Sequence, residues 1–384
     1  MAKNIVLLMD GTSNEIRSNR SNILRLYGTL TKSADQLVFY DPGVGTFGSG
    51  NTWSRLRSKT SEVWGMATGW GIDTNVKEAY RFLVENYSVD ENGERDRIYL
   101  FGFSRGAYTA RVLAGFLHAF GLMEVRNLNL LDYAYRAYKQ IDDAENDGAI
   151  EELRLHERII QPDTPTIRML GLFDTVASVI ESGRWGPRLR HHAFTRQNAS
   201  VQSIRHAVAI HERRTMFRPQ LWQQDQQFQP NKKDDTVLLP QDLKEVWFNG
   251  VHGDVGGGYP EAKSALAKLP LYWLIEEAEG LGLSFETDKI NDIVLGQDSN
   301  RKYTAPDCLA PPQDSMSSTW RMLEYLPQHM PQPTTSGYKR RWIIPRGANR
   351  TIPDGANVHW SVFRQGILPQ NLPKTYEIDE GGQC

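Results

Sequence analysis

A serine, an aspartate and a histidine, the residue types that together carry out acyl transfer, each stand at the end of an apolar run in this chain. The serine is Ser104, within Gly102-Phe103-Ser104-Arg105-Gly106. Ahead of it, Arg97-Ile98-Tyr99-Leu100-Phe101 is an apolar and aromatic run suited to a buried central strand. Behind it the chain turns Ala-rich, with helical spacing through Val112, Leu113, Phe116 and Phe120, and Gly121 stands where a helix takes a left-handed stop. A G-x-S-x-G between strand and helix holds its serine on a sharp, strained turn, and the glycines let neighbouring backbone come close. The new helix aims its first amides at a reacting oxygen, so the Arg105 N–H is a candidate oxyanion donor. The competing reading is a plain strand–helix turn whose serine caps the helix.

A serine nucleophile needs a base, and the base needs an orienting carboxylate. For this kind of turn the chain order is Ser, acid, His. Asp174 ends the apolar run Thr166–Phe173. His252 and Asp254 follow the run Lys244–Val251, among Gly253, Gly256, Gly257 and Gly258, which make room for something to approach. His359 lies near the C-terminus. The simplest set is Ser104, Asp174 and His252; the rival set is Ser104, Asp254 and His359. His118, His156 and His206 fall in helical patterns and read as structural. The turn Asp10-Gly11-Thr12 follows the first apolar run, and the N–H of Gly11 or Thr12 could serve as a second oxyanion donor. Two other classes remain in view. Asp10, Asp174, His252 and Asp254 could converge on a hard metal in a metal-dependent hydrolase, or the scaffold could be a non-catalytic binding module. Serine chemistry calls for no metal and no cofactor.

The elements that must position these residues alternate. Strands are expected at Asn4–Met9, Gln36–Tyr40, 97–103, 166–173, 244–251 and 339–345. Helical spacing covers 22–32, 73–87, 128–160, 203–210 and 266–281. Strand–helix–strand order argues right-handed parallel crossovers. The expected fold class is α/β, a mostly parallel sheet with helices on both faces and lid-like insertions. One domain spans 1–384, with insertions about 46–72, 183–240 and 287–340. The first insertion mixes glycines with Phe47, Trp53, Trp64 and Trp70 and the basic Arg55, Arg57 and Lys59, as a flap, an interfacial surface or a loop pinned to the core by its aromatics would. The tail from Glu377 reads as loose.

Composition narrows the partners. The 384 residues are 40% apolar, with ten Trp, and the formal net charge is −2. Such a balance argues against a nucleic-acid partner held by charge. Two cysteines, Cys308 and Cys384, imply no disulfide framework and no Cys-based zinc site. The N-terminal apolar run is too short for a signal peptide, and no run approaches the ~20 residues of a membrane span. Synthesis in the cytoplasm is expected, with transport elsewhere left to a dedicated machine.

Five motifs occur in order: Asp10-Gly11-Thr12, Asp41-Pro42-Gly43-Val44-Gly45-Thr46, Gly102-Phe103-Ser104-Arg105-Gly106-Ala107-Tyr108, Phe173-Asp174-Thr175-Val176 and Val251-His252-Gly253-Asp254-Val255-Gly256-Gly257-Gly258-Tyr259. Over about residues 3–280 the series resembles the uncharacterised α/β-hydrolase family that includes the first class of type VI secretion lipase effectors. Glu212-Arg213-Arg214 and His359-Trp360-Ser361-Val362 are weaker echoes. The resemblance implies phospholipase activity on membrane glycerophospholipids and a Ser–Asp–His triad at Ser104, Asp174 and His252. It also implies peripheral membrane contact, a secretion-machine partner and an immunity protein in the producing cell. Gly253 stands where family members often have Ser, and His211 where they often have Asp.

Overall fold

In the computed structural model the described residues are 2–11, 19–43, 71–141, 147–176, 180–183, 186–189, 192–232, 234, 236–300, 302–334, 337–364 and 366–380. Residues 46–70 of the first expected insertion, Thr12 and the acidic Asp142, Asp143 and Glu145 lie outside them. So do Arg184, Arg190, His191 and the last four residues.

Eight strands form one sheet: β1 (Asn4–Met9), β2 (Gln36–Asp41), β3 (Arg97–Phe103), β4 (Ile167–Phe173), β5 (Val201–Ala209), β6 (Asp242–Phe248), β7 (Ala356–His359) and β8 (Tyr376–Asp379). Their order across the sheet is β8-β7-β6-β5-β4-β3-β1-β2. Every neighbouring pair is parallel. Parallel pairing requires crossovers and covers both faces, which is why the central strands β1, β3 and β4 are largely apolar rather than alternating. Side chains of β1 divide accordingly. Ile5, Leu7 and Met9 join one core, with α2 (Ile72–Asn86), α3 (Arg105–Ala119), α4 (Leu131–Gln140) and α5 (Asp147–Ile160). Val6 and Leu8 join the other, with α1 (Asn22–Thr29) and α6 (Ala265–Gly280). The layout is α/β-hydrolase-like, as expected.

The sheet order reverses between β1 and β3, since the chain runs outward to β2 on one side and then steps to β3 on the other. A crevice opens at the carboxyl ends of strands flanking such a switch point. Asp10 and Gly11 follow β1 there, and Ser104 follows β3.

Two local expectations were wrong. Residues 203–210 are not helical: they belong to β5, and they fall within the stretch 183–240 expected as an insertion. Arg205 and His206 gave that segment its amphipathic look. Both are buried, Arg205 against Asp242 and Glu277, and His206 against Glu245 at 2.7 Å. The tail is not loose through 379, because β8 pairs with β7 at the sheet edge. The strand expected at 339–345 runs Gly337–Ile343, but it pairs with Gln328–Thr334 in a separate antiparallel ribbon. Cys308 is buried.

The turn between β3 and α3 packs directly on the end of β1. A Cβ placed on Gly106 would lie well inside 3.0 Å of the carbonyl oxygens of Met9 and Asp10. Backbone atoms cannot swing aside as a side chain can, so Gly106→Ala must push α3 off β1. Overpacking of this kind costs about 1–3 kcal/mol. Gly106→Ala is expected to lower the midpoint of chemical unfolding accordingly, whereas Gly93→Ala, at a turn with open space but positive φ, should cost less.

Candidate active site

Ser104 has φ 58° and ψ −120°, outside the regions that L-residues favour. Such a conformation costs on the order of 1–3 kcal/mol and persists only where the surroundings enforce it. They do so here. The Ser104 N–H donates to the Phe173 carbonyl at 3.0 Å, and its own carbonyl accepts from the Tyr108 N–H at 3.2 Å to start α3. The Ser104 side chain makes no helix-capping hydrogen bond, which removes the plain-cap reading. Ser104 is half-buried while Phe103 and Arg105 on either side are buried.

Asp174 follows β4 with φ 39° and is fully buried. Its Oδ2 lies 2.6 Å from His252 Nδ1, and its Oδ1 accepts the Ala209 N–H at 3.0 Å. Arg350 then grips the same carboxylate from below, Nη1 to Oδ1 at 2.6 Å and Nη2 to Oδ2 at 3.0 Å. Burial alone would push this acid's pKa up. The Arg350 charge and the His252 hydrogen bond overturn that and hold it well below the usual carboxylate range. An ionised carboxylate can only accept, so the proton between the two groups belongs to Nδ1, and Nε2 is the imidazole's basic nitrogen.

His252 opens a short helix, His252–Gly256, rather than ending its strand. Two aromatic rings clamp it: Phe103, with centroids 4.7 Å apart, and Phe217, edge-on at 4.9 Å. The glycines after His252 were expected to leave room for an approaching group. The molecule fills that room itself. A Cβ at Gly256 would strike the Phe103 ring, and one at Gly253 would lie 2.6 Å from the Tyr259 ring. Because Phe103 precedes Ser104 directly, the ring that packs against the imidazole belongs to the residue beside the hydroxyl. Glu212 supports the same helix by accepting the His252 N–H at 3.2 Å. Burial opposes its charge, but Arg214 pulls its pKa down to about 2.

The other expected residues do other work. Asp254 Oδ2 accepts the backbone N–H groups of Val251 and Gln313 at 3.0 and 2.9 Å, a cap for its own helix. His359 stacks on Phe248 at 4.4 Å and shares Nδ1 with Ser361 at 2.7 Å. Asp254 and His359 therefore form no acid–base pair. Asp10 accepts from Ser21, from Tyr40 at 2.8 Å and from the Gly11 N–H at 2.6 Å. That last bond turns the Gly11 amide toward Asp10, which leaves Thr12, outside the described residues, as the other expected donor. Of the four proposed metal ligands, Asp174 and His252 bind each other while Asp10 and Asp254 are engaged by other groups, and the described residues contain no group of three His, Cys, Asp or Glu side chains able to hold a metal. Arg350 was not anticipated: nothing in Gly347-Ala348-Asn349-Arg350 distinguishes it from a surface arginine.

An uncharacterised protein of Saccharomyces cerevisiae, YEL023C, is 23% identical over 97% of this chain and 81% of its own length. Among solved structures, an uncharacterised protein from Pseudomonas aeruginosa is 19% identical with a TM-score of 0.44, over 74% of this chain and 46% of that one. The Tle1 effector bound to the VgrG spike from the type 6 secretion system is also 19% identical, with a TM-score of 0.34, over 69% of this chain and 53% of that one. This chain thus spans about half the length of those two solved chains. The family model for the T6SS phospholipase effector Tle1-like catalytic domain matches residues 3–277, and the chain belongs to that family.

Proposed function

We propose that the protein is a serine hydrolase that cleaves an acyl ester of a membrane glycerophospholipid. The observation that carries this reading is the buried Asp174–His252 hydrogen bond of 2.6 Å, clamped by the ring adjoining a strained Ser104. In the reaction, Ser104 Oγ attacks the ester carbonyl while His252 Nε2 takes its proton. The tetrahedral oxyanion is held by the Arg105 amide at the start of α3 and by a second N–H of the turn after β1. His252 gives the proton to the departing glycerol oxygen, leaving Ser104 acylated. Water then repeats the sequence and releases the fatty acid. Asp174 fixes the imidazole's tautomer and stabilises its charged form.

The lipid substrate is supported by the family rather than by a bound molecule. Export by a type VI machine and neutralisation by an immunity protein in the producing cell rest on the same support. No helix among the described residues is long and apolar enough to cross a membrane. Contact with a bilayer is proposed as peripheral, in keeping with a lipid substrate.

A fluorophosphonate probe is expected to label Ser104, located by peptide mass spectrometry. Vesicles of phosphatidylethanolamine and phosphatidylglycerol should release fatty acid, and Ser104→Ala should reduce that release at least about 10³-fold. Activity that survives in Ser104→Ala and disappears with a chelator would transfer the chemistry to a metal. Asp174→Asn leaves a buried group unable to fix the tautomer, and a loss of about 10⁴-fold in kcat is expected. Full turnover by this variant would remove Asp174 from the triad.

A further inference from the structure

The match to the family ends at residue 277, yet the strongest partner of Asp174 comes from well beyond it. Arg350 is buried, and both of its terminal nitrogens meet the two oxygens of the Asp174 carboxylate. The fork is fixed from behind. Nη1 also donates to the Ala209 carbonyl at 2.8 Å, and Nη2 also donates to the carbonyl of Phe217. The segment itself is anchored. Ile352 is buried in a small core with Val208, Ile210 and Trp247, and Asn371 Nδ2 donates to the carbonyls of Ile210 and Arg350 at 3.2 and 3.0 Å. Through Ala209, Arg350 ties Asp174 to the end of β5. Through Phe217, it reaches the residue whose ring edge abuts His252.

A planar guanidinium that meets a carboxylate with two nitrogens fixes the plane of that carboxylate as well as its charge. The plane matters, because Oδ2 must point along the Nδ1–H bond for His252 to present Nε2 in one orientation. A guanidinium in this position also works against the imidazolium formed during the reaction. Its presence therefore trades some charge stabilisation for geometry and for a carboxylate that stays ionised.

We propose that Arg350 is a positioning residue of the hydrolytic site, a C-terminal clamp that holds the Asp174 carboxylate in the plane His252 requires. The proposal rests on the serine-hydrolase reading and adds to it an obligatory part supplied from outside the family-matched region. Other charged or titratable groups face the same pair. Glu212 accepts from the His252 backbone and is neutralised by Arg214. His206, paired with Glu245, accepts from the amide of Thr175 beside Asp174. None of these donates to the Asp174 carboxylate, so none replaces Arg350 when it is removed.

The test is the rate of Ser104 labelling by a fluorophosphonate, followed against pH in the full chain, because it reads nucleophile activation without knowledge of the natural substrate. Arg350→Met is expected to slow labelling about 10- to 100-fold. Its acid limb should also move to higher pH, since loss of a cation beside the carboxylate makes the Asp174–His252 pair easier to protonate. Arg350→Lys, which keeps the charge without the fork, should leave the limb near the parent's while still labelling more slowly. Should Arg350→Met fail to fold, Arg350→Ala in added guanidinium ion takes its place, and recovery of the rate with guanidinium but not with sodium supports the clamp. A parent-like rate and limb in Arg350→Met overturns the proposal, and so does a slowing that is equal at every pH. Absence of labelling at Ser104 in the parent would instead overturn the serine-hydrolase reading.

Discussion

Everything at this site depends on one fully buried carboxylate. Asp174 has no access to water, and a lone charge there would be costly enough to drive protonation instead. It remains ionised because an arginine, a histidine and a backbone N–H all converge on its two oxygens. Those three partners come from three parts of the chain: the end of β5, the helix after β6, and the segment before β7. The carboxylate thus acts as a knot that draws the carboxyl ends of the central strands and the C-terminal region together. Breaking a buried pair of this kind by removing one partner typically costs about 3–5 kcal/mol, so its chemistry and its stability cannot be tuned independently.

Sheet order explains how the remaining parts meet. The reversal between β1 and β3 falls at the strand end that carries Ser104 in its strained turn, the place where open α/β sheets take ligands. β4 lies beside β3, so Asp174 follows in the neighbouring strand, and the register that pairs Phe103 with Phe173 sets the two turns level. His252 comes from β6, two strands further out. Its short helix brings it back, and the tilted contact of Phe103 with the imidazole marks where it arrives. The missing Cβ of Gly256 is what lets that ring in.

Much of this was legible in residues. Ser104, Asp174 and His252 each follow an apolar run, and such runs bounded by Gly or Asp are the parts of an α/β chain that local pattern encodes well. Gly121 ends α3 with φ +96°, as a helix stop should. What escaped has a physical reason in each case. β5 looked helical because Arg205 and His206 are polar in a strand buried on both faces, and their partners Asp242, Glu245 and Glu277 are distant in sequence. The glycines near His252 suggested space, but tertiary packing had already assigned it to Phe103 and Tyr259. Arg350 lies 176 residues from Asp174, and a pairing across that separation leaves no local pattern. Asp254 and His359 respected the required chain order and still do not meet, because order along a chain does not fix which strand ends turn inward.

The most direct measurement is a crystal structure of the phosphonylated protein. The account predicts phosphorus bonded to Ser104 Oγ, a phosphonyl oxygen on the Arg105 amide, and His252 Nε2 within hydrogen-bonding reach of the adduct, with Asp174 still held by Arg350 behind it. A phosphonyl group on another residue, or an imidazole of His252 turned away from the adduct, would contradict it.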